Sequence, residues 1–310
     1  MSAGPGDAIG REREVELLLA ALDAGAHVVL EGPPGTGKST LLRGVAATQD
    51  VPFVFVEGNA ELTPARLVGH FDPARVLADG YVEEIFVDGP LVAALRNGGL
   101  LYVEELNRVP EETLNVLITV MSEGELHVPR LGAIRAADDF RLVAAMNPFD
   151  AVGTARISAA VYDRTCRIAM GYQSAADEDA IVDRQAPPVP AEWRAKVVEL
   201  TRRTREHPDV RVGSSVRGAI DLSRLARSLA RARAVQVTDW HVGLDAALVA
   251  LSGRVRLAEG GARSPEAIVR ELYERVFGPP PRPGRSGEDE QSGGGPPGEA
   301  PARLGRAGTT

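Results

Sequence analysis

Gly32-Pro33-Pro34-Gly35-Thr36-Gly37-Lys38-Ser39 is the stretch around which the rest of the chain can be arranged. It matches G-x-x-x-x-G-K-[ST], follows a short apolar run from His27 to Glu31, and opens a helical pattern over Ser39 to Ala47. That is the setting of a phosphate-binding loop as well as its letters. Glycines 32, 35 and 37 let the backbone turn tightly with its N–H groups inward, and the helix N-terminus adds positive potential. Lys38 is placed to reach the outer phosphates of ATP and Ser39 to coordinate Mg²⁺. The expected nucleotide-binding segment is therefore Gly32, Pro33, Pro34, Gly35, Thr36, Gly37, Lys38, Ser39 and Thr40.

Further apolar runs, each bounded by turn residues, occur at Phe53 to Val56, Gly99 to Val103, Phe140 to Met146 and Cys166 to Met170, with helical periodicity between them. Before the first strand, Arg11 to Ala24 carries Val15, Leu18, Leu19 and Leu22 at helical spacing and is closed by Gly25. Strands alternating with helices predict an α/β fold with a parallel five-stranded sheet over residues 1–174. From about Ala175 the strand runs give way to Ala/Leu/Arg helical periodicity as far as Phe277, which predicts a second, all-α domain over 175–277. In Gly278 to Thr310, 16 residues are Gly or Pro and none is aromatic, so this tail is expected to be disordered.

Composition narrows the function. With 310 residues, 44% hydrophobic and 25% charged, the chain has material for a large core. It has no apolar run of spanning length and no basic flank leading into an apolar segment at the start, so neither membrane insertion nor secretion is expected and the cytoplasm is the expected location. One cysteine, Cys166, and five scattered histidines argue against a disulfide or a protein-built zinc site. Residues 1–193 hold 15 Lys and Arg against 29 Asp and Glu, whereas residues 194–256 hold 13 against 6. The acidic majority argues against nucleic acid as a partner, and the basic stretch, with its arginines between leucines and alanines, reads as solvated or subunit-facing helix surface. Cys166, Trp193 and Trp240 read as buried, and the histidines as surface or loop residues.

Some sixty-five residues after the loop, Gly99-Leu-Leu-Tyr-Val-Glu104-Glu105 is an apolar strand ending in two acids. The first acid, Glu104, is expected to help hold Mg²⁺ and the second, Glu105, to polarise the attacking water. Aspartate is usual at the metal-side position, and the extra methylene of Glu104 carries its carboxylate about 1.5 Å further out. The strand from Phe140 ends at Asn147-Pro148, where an amide could orient water. Asp163-Arg164 precedes the last strand run and Arg217 precedes a long helical pattern. An arginine at either place could neutralise charge developing on a γ-phosphate.

Taken together, Ile9-Gly-Arg, the phosphate loop, Leu-Tyr-Val-Glu-Glu-Leu-Asn107-Arg108, Ala-Met-Asn147-Pro, Tyr-Asp163-Arg164 and Val-Arg217 occur in the order and spacing of AAA+ ATPases, and over residues 9–277 the chain resembles the MoxR family. Residues 61–90 look like the helix-2 insert, and residues 123–135 like the hairpin before sensor 1, of the clade that also holds magnesium-chelatase ATPase subunits. The resemblance implies that Asn147 is sensor 1, Arg164 an arginine finger acting on a neighbouring subunit, and Arg217 sensor 2 on a helical lid.

It further implies a homo-oligomer, as a hexameric ring, that hydrolyses ATP to remodel a protein client, with a separate von Willebrand factor A domain protein as partner. Phe71 and His127, in the two insertions, are candidate client contacts, although a loop aromatic is at least as often packed against its own domain. Two other functions share the same motifs: a chelatase-type motor for metal insertion, and a slow nucleotide-dependent switch suggested by the unusual Glu104.

Overall fold

A computed structural model describes residues 8–148, 159–258 and 263–281. The chain begins with helix α1 (Glu12–Asp23), strand β1 (His27–Glu31), helix α2 (Lys38–Gln49) and strand β2 (Phe53–Glu57). There follow α3 (Pro64–Val68), β3 (Gly69–Phe71), α4 (Pro73–Asp79), β4 (Phe86–Asp88), α5 (Pro90–Asn97) and β5 (Leu100–Glu104). After α6 (Glu111–Glu123) come β6 (Glu125–Val128), β7 (Gly132–Arg135), β8 (Arg141–Met146), α7 (Ala159–Asp163) and β9 (Thr165–Ala169).

Five of these strands form one parallel sheet in the order β2-β5-β8-β1-β9. Strands β1, β5 and β8 lie inside the sheet with helices on both faces, which is why they are continuous apolar runs instead of alternating ones. Val28, Val29 and Leu30, then Leu101, Tyr102 and Val103, then Val143 and Ala144 are wholly buried. In a parallel sheet the segments leaving the C-terminal ends of the strands emerge on one side. Here that brings together the loop after β1, the acids ending β5 and Asn147 after β8.

Two small antiparallel additions project from this core. Between β2 and α5, strands β3 and β4 pair with α3 and α4 beside them, and between α6 and β8 the strands β6 and β7 form a hairpin. Both short helices are started by a side-chain cap followed by proline: Thr63 accepts from the Arg66 amide and Asp72 from that of Ala74. Of the two readings open for Phe71, the structure shows packing within its own domain, edge-on to Tyr81 and Phe86, each at 5.1 Å between ring centres. Arg130, at the hairpin turn, lies 3.8 Å over the Tyr81 ring and ties the two additions together. His127 is exposed on the hairpin, as expected.

The remainder comprises α8 (Ala175–Gln185), α9 (Ala191–Glu206), β10 (Val210–Val212), α10 (Val216–Arg233), α11 (Trp240–Leu251), β11 (Arg256–Leu257) and α12 (Pro265–Phe277). These helices share a separate core containing Val182, Leu200, Leu222, Leu251, Ile268 and Tyr273. Each such side chain contributes about 1.5–3 kcal/mol relative to exposure. A two-stranded sheet, β10 with β11, adds to the helices foreseen for this part. At three and two residues its strands are too short to show a period in the sequence.

The basic character of this region is partly internal. Glu178, almost wholly buried, is paired with Arg202 at 3.1 Å and Arg205 at 2.8 Å, and Arg205 stacks 3.9 Å from the Tyr172 ring. Trp193 is buried as expected and Trp240 is half-buried against the same core. Two expectations fail. Cys166 is exposed, because β9 is an edge strand with one flank unpaired. His207 is buried, its Nδ1 accepting the Asp209 amide at 3.2 Å. The tail expected over 278–310 lies outside the described residues beyond 281.

Candidate active site

A cavity of about 360 Å³ opens between the sheet and the helical part. Its sheet side is formed by residues 34–40, Glu104, Glu105, Arg108 and Asn147, and its lid side by residues 212–215, Arg217 and residues 253–254 with Arg256.

The loop after β1 is held open by backbone geometry that only glycine tolerates easily. Gly35 and Gly37 have φ of 75° and 86°, and a Cβ on Gly32 would strike the Met170 carbonyl. Thr36 is fully buried and its hydroxyl donates to the Pro33 carbonyl at 2.9 Å. Arg11 buttresses the same loop from outside the sequence motif. Its guanidinium donates to the carbonyls of Thr36 at 2.9 Å and Gly171 at 2.5 Å and pairs with Glu14 at 2.7 Å.

Lys38 stands at the first turn of α2 and its ammonium donates to the carbonyls of Gly32 and Pro33 at 2.8 and 2.9 Å. Burial pulls its pKa down to about 8; Glu104 opposes the fall, and Arg217 and Arg11 add to it. Ser39 donates to the Glu104 carboxylate at 2.7 Å and lies 3.2 Å from the Tyr102 hydroxyl. Burial keeps that phenol protonated well above the usual range. The longer side chain of Glu104 thus reaches the Ser39 hydroxyl directly. Among the described residues no group of three His, Cys, Asp or Glu could hold a metal by itself. The Ser39 and Glu104 oxygens suit Mg²⁺, which takes few protein ligands and shares the rest with phosphates and water.

Glu105 sits in the left-handed region, φ 53°, which turns the chain sharply out of β5 into the one-turn helix Leu106–Arg108. Its carboxylate pairs with Arg108 at 3.0 Å. Asn107, buried one residue before, donates to the Asn147 carbonyl at 3.4 Å and so links the ends of β5 and β8. Arg217 enters from the first turn of α10, and its charge is felt by Lys38.

Arg164 is not in this cavity. It lies between α7 and β9, with its guanidinium on the Ser122 hydroxyl, the Ala160 carbonyl at 3.0 Å and Asp163 at 3.5 Å. The structure therefore gathers the expected site residues from Pro34 to Thr40, with Glu104, Glu105, Asn147 and Arg217, at one cavity; Gly32 and Pro33 adjoin it through their carbonyls on Lys38, and Arg164 lies outside it. Arg11, Tyr102, Asn107, Arg108, Arg254 and Arg256 were not assigned to the site from sequence. Of these, Arg11, Tyr102, Asn107 and Arg108 carry a signal there, as members of the quoted motifs.

A family model for the AAA domain of the dynein-related subfamily matches residues 27–165. The gas vesicle ATPase GvpN of Haloferax mediterranei is 32% identical over 209 residues, covering 62% of this chain and 60% of that relative. The gas vesicle ATPase GvpN1 of Halobacterium salinarum is 30% identical over 251 residues, covering 76% and 72%. The chain thus spans less than two thirds of the first relative's length. Among solved structures, the Holliday junction branch migration motor RuvB of Thermotoga maritima superposes with a TM-score of 0.54 at 18% identity, over 80% of this chain and 72% of that one. At that identity the likeness concerns the fold alone.

Proposed function

This chain belongs to the AAA+ ATPases of MoxR type, and on that premise we propose that it is a ring-forming ATPase that uses ATP turnover to remodel a protein client. The observation that carries the reading is the cavity itself, in which a glycine-rich loop, a paired Ser39 and Glu104, Glu105, Asn147 and a lid arginine converge.

In this proposal the loop amides and Lys38 bind the phosphates, and Ser39 with Glu104 would hold Mg²⁺, which supplies neutralisation of phosphate charge when bound. Glu105 accepts the proton of the attacking water and Asn147 orients that water. Arg217 contributes positive charge from the lid. Arg164, outside its own cavity and immediately before the edge strand β9, is assigned to the site of a neighbouring copy. That assignment makes assembly a condition of turnover, and a hexameric ring is the arrangement the family suggests.

Remodelling would pass through the two linked additions around Phe71 and Arg130, and the exposed Leu77, Tyr81, Val82 and Val87 beside them supply an apolar surface for a client. A von Willebrand factor A domain protein is the proposed partner. The gas vesicle names of two relatives offer one setting for the client. No helix among the described residues is long and apolar enough to cross a membrane.

The test is capture from cell extract by Glu105→Gln held with Mg-ATP, compared with Lys38→Ala. A protein partner retained only by the Glu105→Gln form supports the reading. Recovery of the same proteins by both forms would contradict an ATP-dependent client.

A further inference from the structure

The lid side of the cavity carries more arginine than the sequence motifs account for. Besides Arg217, Arg254 and Arg256 line it, both from the short segment between α11 and the end of β11. With Lys38 and Arg108, five basic side chains face the cavity against the two carboxylates Glu104 and Glu105. Such a wall suits an anion of several charges.

The segment that bears the two additional arginines is anchored to the lid on both sides of Arg256. Arg254 is occupied within the lid: its guanidinium donates to the Ala250 carbonyl and pairs with Asp221 at 2.5 Å. Asp221 lies one turn beyond Arg217 on α10. Arg256 is the cross-strand partner of Val212, five residues before Arg217, and the adjoining Ala258 amide donates to the Asp209 carbonyl at 2.9 Å. The segment carrying Arg256 is therefore fastened to the stretch on either side of Arg217, at Asp209 and Val212 before it and at Asp221 after it. Residues 213–215, between β10 and α10, line the same wall.

We propose that Arg256 is a second lid arginine for the polyphosphate of the bound nucleotide, presented together with Arg217 by one rigid unit whose tether is the Asp221–Arg254 pair. The proposal rests on the nucleotide-binding reading of the cavity. Its physical content is that lid closure brings two guanidiniums to the anion, and that Arg254 positions the segment without being the ligand contact.

The experiment is equilibrium binding of fluorescent N-methylanthraniloyl ATP and ADP to the full chain carrying Arg256→Gln, over a range of NaCl concentrations. Glutamine keeps hydrogen-bonding capacity and removes the charge. Loss of a charge-assisted contact should weaken binding ~10- to 100-fold at low salt. The gap to the unmodified protein should narrow at about 1 M salt, where the Debye length is about 3 Å. Asp221→Asn should show part of the same loss. The reference variant Arg231→Ala, on the exposed face of α10, should bind as the unmodified protein does. A loss in Arg256→Gln that is the same at all salt concentrations would mark a structural arginine and overturn the proposal, as would undiminished binding. If Lys38→Ala also binds undiminished, the nucleotide reading itself falls. If Lys38→Ala loses binding while Arg256→Gln keeps it, only the present inference falls.

Discussion

Ser215, the residue that begins helix α10, stands directly against Gly35 of the phosphate loop, and a Cβ on Gly35 would collide with the Ser215 hydroxyl and Cβ. The loop proposed to grip phosphates and the helix that carries Arg217 are thus in contact through a space the size of a hydrogen atom. Any side chain at position 35 must move the lid, the loop or both.

Gly35→Ala is accordingly expected to impair function more than folding. The positive φ costs about 1–2 kcal/mol for a residue with a Cβ, and the collision adds displacement of α10. Nucleotide affinity should fall at least tenfold by binding titration, while thermal unfolding shows a drop of a few degrees. Unchanged affinity would mean that the contact has no part in holding the lid.

The Lys38 ammonium, lowered to about 8 by burial, makes nucleotide affinity depend on pH. Only the charged form attracts phosphate, so affinity for ATP should be level below about pH 7.5 and weaken as pH rises through 8 towards 9.5. Stability should move the opposite way. A lysine whose folded pKa lies below its unfolded value near 10.5 disfavours the folded state while charged, so between about 8 and 10.5 this group contributes more stability as pH rises. Binding titrations and unfolding midpoints over pH 6.5–9.5 check both signs.

Glu104→Asp withdraws the carboxylate by about 1.5 Å and breaks its 2.7 Å hydrogen bond with Ser39. The expected result is lower turnover with the Mg²⁺ requirement raised roughly ten- to a hundredfold, as for loss of a group that orients a metal ligand. Faster hydrolysis by the aspartate variant would instead favour the slow-switch function, with the native glutamate acting as a brake.

The sheet was legible because burial on both faces forces uninterrupted apolar strands, and Val28 to Leu30 and Leu101 to Val103 advertise it. The phosphate loop was legible because its glycine spacing has a backbone cause. What escaped was chemistry assembled across long separations. Arg254 and Arg256 reach the cavity only through the pairing of β10 with β11, and nothing local distinguishes them among 33 arginines. Cys166 looked buried because its neighbours are those of a strand, and a strand's sequence does not tell which one lies at the edge. For Phe71 the sequence leaves client contact and own-domain packing both open, because Tyr81 and Phe86, which enclose it, are ten and fifteen residues away.

Leu77 is 92% exposed on α4. Its replacement by serine removes apolar surface without disturbing any packing, so basal ATP hydrolysis and unfolding temperature should stay within error. Client recovery in the Glu105→Gln background should decline. Equal recovery would move the client surface elsewhere.

Arg164 is proposed to complete the cavity of another copy. Hydrolysis should be measured for Arg164→Ala and Glu105→Gln separately and after mixing at equal concentration with time for subunit exchange. Each alone should be nearly inactive, the first for want of charge neutralisation and the second because an amide cannot accept the proton. The mixture should regain a clear fraction of native turnover, from interfaces that join an intact Glu105 to an intact Arg164. A mixture no more active than its parts, in assemblies shown to contain both variants, would contradict the claim.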